Sequence, residues 1–496
     1  MISSPHTKKA ILGILTIILA IVVYCLIPEG YGKAPFMASI VVVMAMCWVF
    51  EILPIPITSL LPIVLFPIFE IIDAKTTASF YGKDIIFLFL GGFILAKALQ
   101  VSNLHQRIAL HILNTIGSKP SQLVLGFMIT TAFLSMWISN TSSVMVMMPI
   151  AISIIEQIKS SQQQQKIVSK LAVSMLLGIA YSADIGGMAT LIGTPPNMVF
   201  IEMYHEMFPN LPKVTFSQWL MLGVPLSIVF LFTGWLLLTK VIFRIPKIKL
   251  FESKNIIKDQ LKGLGKITHD ETLVGIVFGI AILLWITGSD IRFSDNFSIK
   301  GWRTAFNLPM VTDATVAIAT ATLLFMIPSK KRKNEMLLKW NHAKDLPWGI
   351  LLLFGGGFAL AGGFEASGLS KVIGNLFTNV DISSPIILVI IVCFVLTFLT
   401  EITSNTATTN LVLPILAKAS IVLGLDPRVL MIPATLSASC AFMMPVASPT
   451  QAIIFGSGYI EIKQMVRAGI LFNLLGIIVV TLTFYLLAEF VFGIVI

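Results

Sequence analysis

Residues 121–158 read SQLVLGFMITTAFLSMWISNTSSVMVMMPIAISIIEQI, and residues 384–422 read SPIILVIIVCFVLTFLTEITSNTATTNLVLPILAKASIV. Each apolar stretch is broken near its middle by the same tripeptide, Ser139-Asn140-Thr141 and Ser404-Asn405-Thr406. The halves run to about 17 residues, or about 26 Å at the helical rise, slightly short of the roughly 20 apolar residues that cross a bilayer. Each stretch therefore enters and leaves on one side, as a re-entrant helical hairpin with a polar tip. The tripeptides begin 265 residues apart (139 and 404), and the same spacing relates Pro149 to Pro414. It also relates Leu88-Phe89-Leu90-Gly91-Gly92-Phe93 to Leu353-Phe354-Gly355-Gly356-Gly357-Phe358. Further on, the stretch Ala183 to Asn197 (ADIGGMATLIGTPPN) faces Ala438 to Gln451, ending ASPTQ, at a spacing of about 254 (193 and 447). A register kept from 88 to 149 and then shortened once marks an internal duplication.

The remaining composition agrees with a membrane location. Of 496 residues, 56% are hydrophobic and 12% charged, about half the charge of a soluble protein, which excludes a soluble globular fold. The net charge of +10 is assigned to basic loops held on the cytoplasmic side rather than to a nucleic-acid partner. Cys25, Cys47, Cys393 and Cys440 lie in apolar runs without C-x-x-C or Cys/His spacing, so neither a disulfide framework nor a zinc site follows. Lys8-Lys9 precede an apolar run from Ala10 to Ile27 that is long enough to span and is read as the first transmembrane helix, not a signal peptide.

Further spanning runs fall at 36–53, 56–72, 84–101, 167–192, 218–242, 271–288, 311–328, 346–364, 428–447 and 468–495. The reading is an all-α polytopic membrane protein of about 11 transmembrane helices plus two re-entrant hairpins, since unpaired backbone has no solvent in lipid. The domain expectation is a tail and first helix at 1–35, a first repeat at 36–242 with hairpin 121–158 and broken helix 167–208, a basic cytoplasmic linker at 243–270, and a second repeat at 271–496 with hairpin 384–422 and broken helix 428–458. Five crossings and one hairpin per repeat make the second repeat run inverted, so the hairpins enter from opposite faces, the architecture of secondary transporters. Under this count the inside segments hold 23 Lys or Arg against nine outside, which places the N-terminus in the cytoplasm and the C-terminus outside a plasma (inner) membrane. Gln162 to Gln165 reads as a cytoplasmic connector. The Gly91-Gly92 and Gly355–Gly357 runs read as close-packing sites. Asn103 to Gly117 and Ser367 to Asn379 read as amphipathic interfacial helices, with His105 and His111 solvated.

The repeated tips carry the chemistry. Asn140, Thr141, Asn405 and Thr406 offer amide and hydroxyl hydrogens, and helix N-termini after the breaks add N–H groups and positive dipole, a combination that suits an anion. The same oxygen-rich breaks supply carbonyl, Ser and Asn oxygens, hard ligands for Na⁺ beside the anion. No Arg, Lys or His lies close to either tip in sequence, and a dianion without a cation is costly inside a membrane. Of the two intramembrane acids, Glu401 reads as a structural hydrogen-bonding group in its hairpin, while for Asp184 ion coupling and a capped structural role stay open.

The paired Ser-Asn-Thr motifs, the Gly193-Thr194-Pro195-Pro196-Asn197 break and the Ala447-Ser448-Pro449 break resemble the divalent anion:sodium symporter (DASS) family, INDY-type dicarboxylate and citrate transporters. The resemblance covers nearly all the chain after the first helix. It implies a homodimer with a mobile transport part moving by an elevator motion, with C4 to C6 di- or tricarboxylates as cargo. It implies substrate contacts at Asn140, Thr141, Thr194, Pro195, Asn405, Thr406, Ser448 and Pro449. One Na⁺ site would use Ser135, Asn140 and Gly193, and its mirror Thr400, Asn405 and Ala447. The sequence Ser448-Pro449-Thr450-Gln451 departs from the Thr-Pro-Pro-Asn pattern, which leaves cation-independent exchange beside Na⁺ symport. Transport of another inorganic or organic anion and an anion channel are the other functional classes. Enzymatic catalysis is not expected, because no nucleophile with a matching base and no metal-ligand cluster recurs at the breaks.

Overall fold

The computed structural model describes residues 5–28, 30–117, 119–160, 165–245, 252–294, 297–332, 334–377 and 384–494. Gln162 to Gln164 of the connector and residues 246–251 of the linker lie outside them. Among the described residues, eight helices are long and apolar enough to cross a membrane, from Lys9–Leu26 at the N-terminus to Ile462–Phe492 at the C-terminus. Shorter apolar helices accompany them, Ala34–Phe50, Pro120–Ser135, Asp313–Met326 and Pro385–Leu399 among them.

One expected crossing is not continuous. The crossing at 56–72 is broken into Ile55–Thr58 and Leu61–Ile68. Pro54, Pro56, Pro62 and Pro67 each remove a backbone donor there, and the Ser59 hydroxyl, between the pieces, donates to the Ile55 carbonyl at 2.7 Å and accepts from the Trp48 indole at 3.2 Å. The fold is all-α as expected, with one short two-stranded antiparallel hairpin, Ile291–Ser294 and Phe297–Ile299, in the connection between His269–Ile286 and Asp313–Met326. That segment carries the period-two alternation of a strand, too short to register beside long apolar runs.

The hairpins form as the tripeptides suggest, with unequal arms. The first has arms Pro120–Ser135 and Asn140–Ser160, the second Pro385–Leu399 and Asn405–Val422. The arms that follow the tips are longer than the sequence estimate. Each hairpin is followed by a discontinuous helix, Gln165–Gly187 then Pro195–Met207 in the first repeat, and Pro427–Ser437 then Pro449–Gly456 in the second. Proline opens the first arms and both resumed helices, at Pro120, Pro385, Pro195 and Pro449, where its fixed φ suits the first turn and its missing N–H is no loss.

The packing interlocks the repeats. Each hairpin lies against the first half of its own broken helix, but the second halves cross over: Pro195–Met207 packs on Asn405–Val422, and Pro449–Gly456 packs on Asn140–Ser160 and Gln165–Gly187. Around this unit stand Asp84–Ser102, packed on Asp313–Met326, and Trp348–Ser367. The glycine runs allow that closeness. A Cβ at Gly91 would lie 2.6 Å from the Ala317 backbone, and one at Gly356 would lie 2.6 Å from the Ser59 carbonyl oxygen.

The interfacial helices are Leu104–Thr115 and Leu369–Phe377. His111 is exposed as expected, but His105 is buried, its Nδ1 2.8 Å from the Leu99 carbonyl oxygen. One turn is enough to carry its neighbour Arg107 into a buried clamp. Arg107 Nε donates to Glu271 Oε1 at 3.0 Å, and the other guanidinium nitrogens donate to Glu271 Oε2 and to the carbonyls of Leu264, Gly265 and Lys266. The clamp joins the end of the linker and the start of His269–Ile286 to the helix that leads into the first hairpin. Removing one member of a buried ion pair strands the other, at about 3–5 kcal/mol, whereas an exposed pair contributes at most about 1 kcal/mol. Arg107→Ala should therefore lower the thermal unfolding midpoint of the purified protein strongly. Lys262→Ala, which removes an exposed partner of Asp259, should leave it nearly unchanged; equal shifts would refute the clamp.

Candidate functional site

The first hairpin turns at Met136–Ser139, and Asn140 opens its second arm. Ser135 Oγ donates to Asn140 Oδ1 at 2.6 Å, and Asn140 Nδ2 donates to Asp184 Oδ1 at 2.9 Å. Asp184 belongs to Gln165–Gly187, so the Asn140 amide ties the tip to the broken helix, with Ser135 holding the other end of that amide. Thr190, inside the break, donates to the Met136 carbonyl at 2.5 Å and closes the same contact from the other side. The unwound backbone is held in turn: Asn197 Nδ2 donates to the carbonyls of Gly187 at 3.1 Å and Thr190 at 2.8 Å, and the Trp219 indole donates to that of Met188 at 3.0 Å. Thr194, extended at φ −142° and ψ 143°, leads into Pro195 at the start of the resumed helix.

Gly187 marks where oxygens gather. A Cβ there would stand 2.7 Å from Asn140 Oδ1 and 3.2 Å from the Gly193 carbonyl oxygen. Together with Ser135 Oγ, these are uncharged oxygen donors of the kind a hard cation takes. Among the described residues, no group of three or more His, Cys, Asp or Glu is placed to hold a metal ion. Thr141 is half-buried beside Asn140.

The second tip repeats the first bond at the same spacing. Thr400 Oγ1 donates to Asn405 Oδ1 at 2.6 Å, as Ser135 does to Asn140, and also lies 2.9 Å from the Ala438 carbonyl oxygen. Thr406, next to Asn405, and Ala447, in the second break, are both buried, and Pro449 is exposed at the head of its helix. The acids, however, have exchanged places. Glu401 stands where the first repeat has Met136, and Pro427–Ser437, the counterpart of the helix that carries Asp184, holds no acid. Glu401 receives the backbone N–H groups of Phe442, Met443 and Met444 at 2.7–3.2 Å and the Asn473 amide at 2.7 Å. Its structural role is thus as expected: it takes up the donors that the second break leaves free.

Asp184 does more than cap its own repeat. Thr450, from the second break, donates to its Oδ2 at 3.1 Å, and Ser448 Oγ lies 2.6 Å from Thr450 Oγ1. Asp184 is 1% exposed, and both partners are uncharged. Sequence reasoning missed Thr450 and Asn473 as members of this network. Thr450 sat within the very departure at 448–451, and Asn473 is a lone amide in a long apolar helix, an intramembrane polar residue that is itself a signal. Beside the first tip, a cavity of about 590 Å³ is lined by Gln100, Asn103, Gln106, Gln260 and Ser142, two residues past Asn140.

Comparison with known proteins places the chain in a family. The chain matches the family described as "Sodium:sulfate symporter transmembrane region" over residues 6–494. It is 41% identical over 489 residues to the sodium-dependent dicarboxylate transporter SdcS of Staphylococcus saprophyticus, covering 98% of this chain and 92% of that protein. It is 43% identical over 466 residues to SdcS of Staphylococcus aureus, covering 93% and 87%. Among solved structures it resembles Neisseria gonorrhoeae MtrF at TM-score 0.56 and 14% identity, covering 98% and 95% of the two chains. It also resembles the Alcanivorax borkumensis YdaH transporter at TM-score 0.55 and 12% identity, covering 98% and 99%. These distant likenesses concern the fold, that of polytopic membrane transporters. By its full-length family match and its extent of identity to the staphylococcal transporters, the chain belongs to the sodium:sulfate symporter family of membrane transport proteins.

Proposed function

We propose that this protein carries C4 to C6 di- or tricarboxylates across the membrane together with Na⁺. The observation that carries the proposal is the twofold tip: Ser135–Asn140 and Thr400–Asn405 make the same 2.6 Å bond, each against a helix break. The names of the staphylococcal relatives supply the cargo and the ion. Between the tips, Asn140, Thr141, Asn405 and Thr406 would donate to the carboxylates, flanked by Thr194, Pro195, Ser448 and Pro449. Ser135, Asn140 and Gly193 would hold one Na⁺, and Thr400, Asn405 and Ala447 the other. Bound cations offset the dianion where no basic side chain stands at the tips, and this makes co-transport the favoured form of coupling. The interlocked hairpins and broken helices would travel as one elevator body against the surrounding helices, within a homodimer in the plasma membrane, N-terminus cytoplasmic. The polar cavity lined by Gln100, Asn103 and Gln106 would be the cytoplasmic way in and out.

Dicarboxylate exchange without Na⁺ is the second form, favoured only by the Ser-Pro-Thr-Gln departure of the second break. Uptake of labelled succinate into liposomes, with choline replacing Na⁺ and with or without internal succinate, separates them. Uptake should require a Na⁺ gradient and no internal substrate; uptake that needs internal substrate but no Na⁺ would establish the exchanger instead, and steady currents without counterflow a channel.

The site itself is tested by truncating the tips. Losing a buried amide that meets the ligand costs roughly 1–3 kcal/mol, so Asn140→Ala and Asn405→Ala should each reduce succinate uptake about tenfold or more. Wild-type uptake in both would move the site elsewhere.

A further inference from the structure

We propose that Asp184 and Thr450 are positioning residues for the first Na⁺ site, so that this site is completed across the repeat boundary and differs in kind from the second. The inference rests on the reading of Ser135, Asn140 and Gly193 as Na⁺ ligands.

The hydrogen-bond directions lead to it. Ser135 donates to the Asn140 oxygen, and the Asn140 amide nitrogen donates to Asp184. With its N–H₂ committed to a carboxylate, the Asn140 side chain cannot turn over, and its oxygen stays beside Gly187 and the Gly193 carbonyl. Outer groups that orient a ligand in this way also raise its basicity toward the ion. From the opposite side the Thr450 hydroxyl donates to Asp184 at 3.1 Å, which leaves the Ser448 hydroxyl as donor to Thr450 at 2.6 Å. Both chains of donors, one from a proposed cation ligand and one from a proposed substrate contact, thus end on one buried carboxylate.

Comparison of the two repeats shows that this is a local addition. The first break reads Thr194-Pro195-Pro196-Asn197 and the second Ser448-Pro449-Thr450-Gln451. Thr450 therefore stands where the first repeat has Pro196, a residue with no hydroxyl to give, and Asp184 has no acidic counterpart in Pro427–Ser437 of the second repeat. The two departures from the repeat pattern touch each other. The change in the second break, which in sequence reads as damage to the second Na⁺ site, supplies instead a donor to the first.

The test is Na⁺ binding to the purified full-length protein, read as the rise in its thermal unfolding midpoint while NaCl replaces choline chloride at constant ionic strength. Loss of an outer-shell partner costs about tenfold or more in metal affinity. Asp184→Asn and Thr450→Val should each raise the half-saturating Na⁺ concentration, the first by about tenfold or more and the second by about threefold or more. Thr450→Ser, which keeps the hydroxyl, should restore the wild-type value. Ser227→Ala removes a bond to the Ile185 carbonyl one residue from Asp184, and should lower the midpoint without moving the half-saturation point, which separates positioning from loosening of the helix. Wild-type half-saturation in Asp184→Asn and Thr450→Val would overturn the inference while leaving Na⁺ coupling intact. Should Asp184→Asn fail to fold, an unchanged value in Thr450→Val alone overturns it. Absence of any Na⁺-specific shift in the wild type would overturn the Na⁺ reading and this inference with it.

Discussion

Non-helical backbone inside a bilayer has no water to turn to, and each exposed N–H or C=O there costs several kcal/mol unless the protein supplies a partner. This chain places two such breaks in its interior, and much of the surrounding sequence answers them. In the first repeat the answer is distributed over neutral side chains: Asn197, Thr190 and Trp219 each take one or two groups of the tip or the break. In the second, Glu401 alone takes three successive N–H groups, and Asn473 comes from the last helix to steady it. Once these demands are met, the breaks are fixed structures, and the oxygens and donors left over point in fixed directions. A transporter that must bind small ions and release them needs that definition.

The two solutions also make the repeats unlike. Duplication places Ser135 and Thr400, and Asn140 and Asn405, in equivalent bonds, yet it puts an acid in the tip of one repeat and in the broken helix of the other. Glu401 is absorbed by backbone. Asp184 is met by one side chain from each repeat, Asn140 and Thr450, so the two repeats are joined where the crossing helices already interlock. A difference between two related sites gives an order of binding and release that two identical sites cannot give.

The duplicated features were the legible ones. A fixed 265-residue spacing between tripeptides, glycine runs and prolines is a pattern in one dimension, and it carried the hairpins and the glycine contacts at Gly91 and Gly356, while the family resemblance supplied Ser135 and Thr400 beside the tip asparagines. What escaped depended on partners far apart in the chain with no period to announce them: Arg107 with Glu271, Asn473 with Glu401, Thr450 with Asp184. His105 was misjudged differently: it is buried with its ring nitrogen on the Leu99 carbonyl six residues back, a local contact that its polar type did not suggest. The run at 56–72 misled by composition. It is apolar enough to span, but four prolines spaced through and before it prevent a continuous helix.

The central claim is that one substrate-binding space lies between the two tips, with a cation on its tip–break crossing at each end. Its most direct test is an experimental structure of the protein in lipid, determined with saturating Na⁺ and succinate. The account predicts succinate density reached by Asn140, Thr141, Asn405 and Thr406, with ion density at Asn140 beside Gly193 and at Asn405 beside Thr400. Succinate seated instead in the cavity under Gln100, Asn103 and Gln106, with both tips empty, would contradict it.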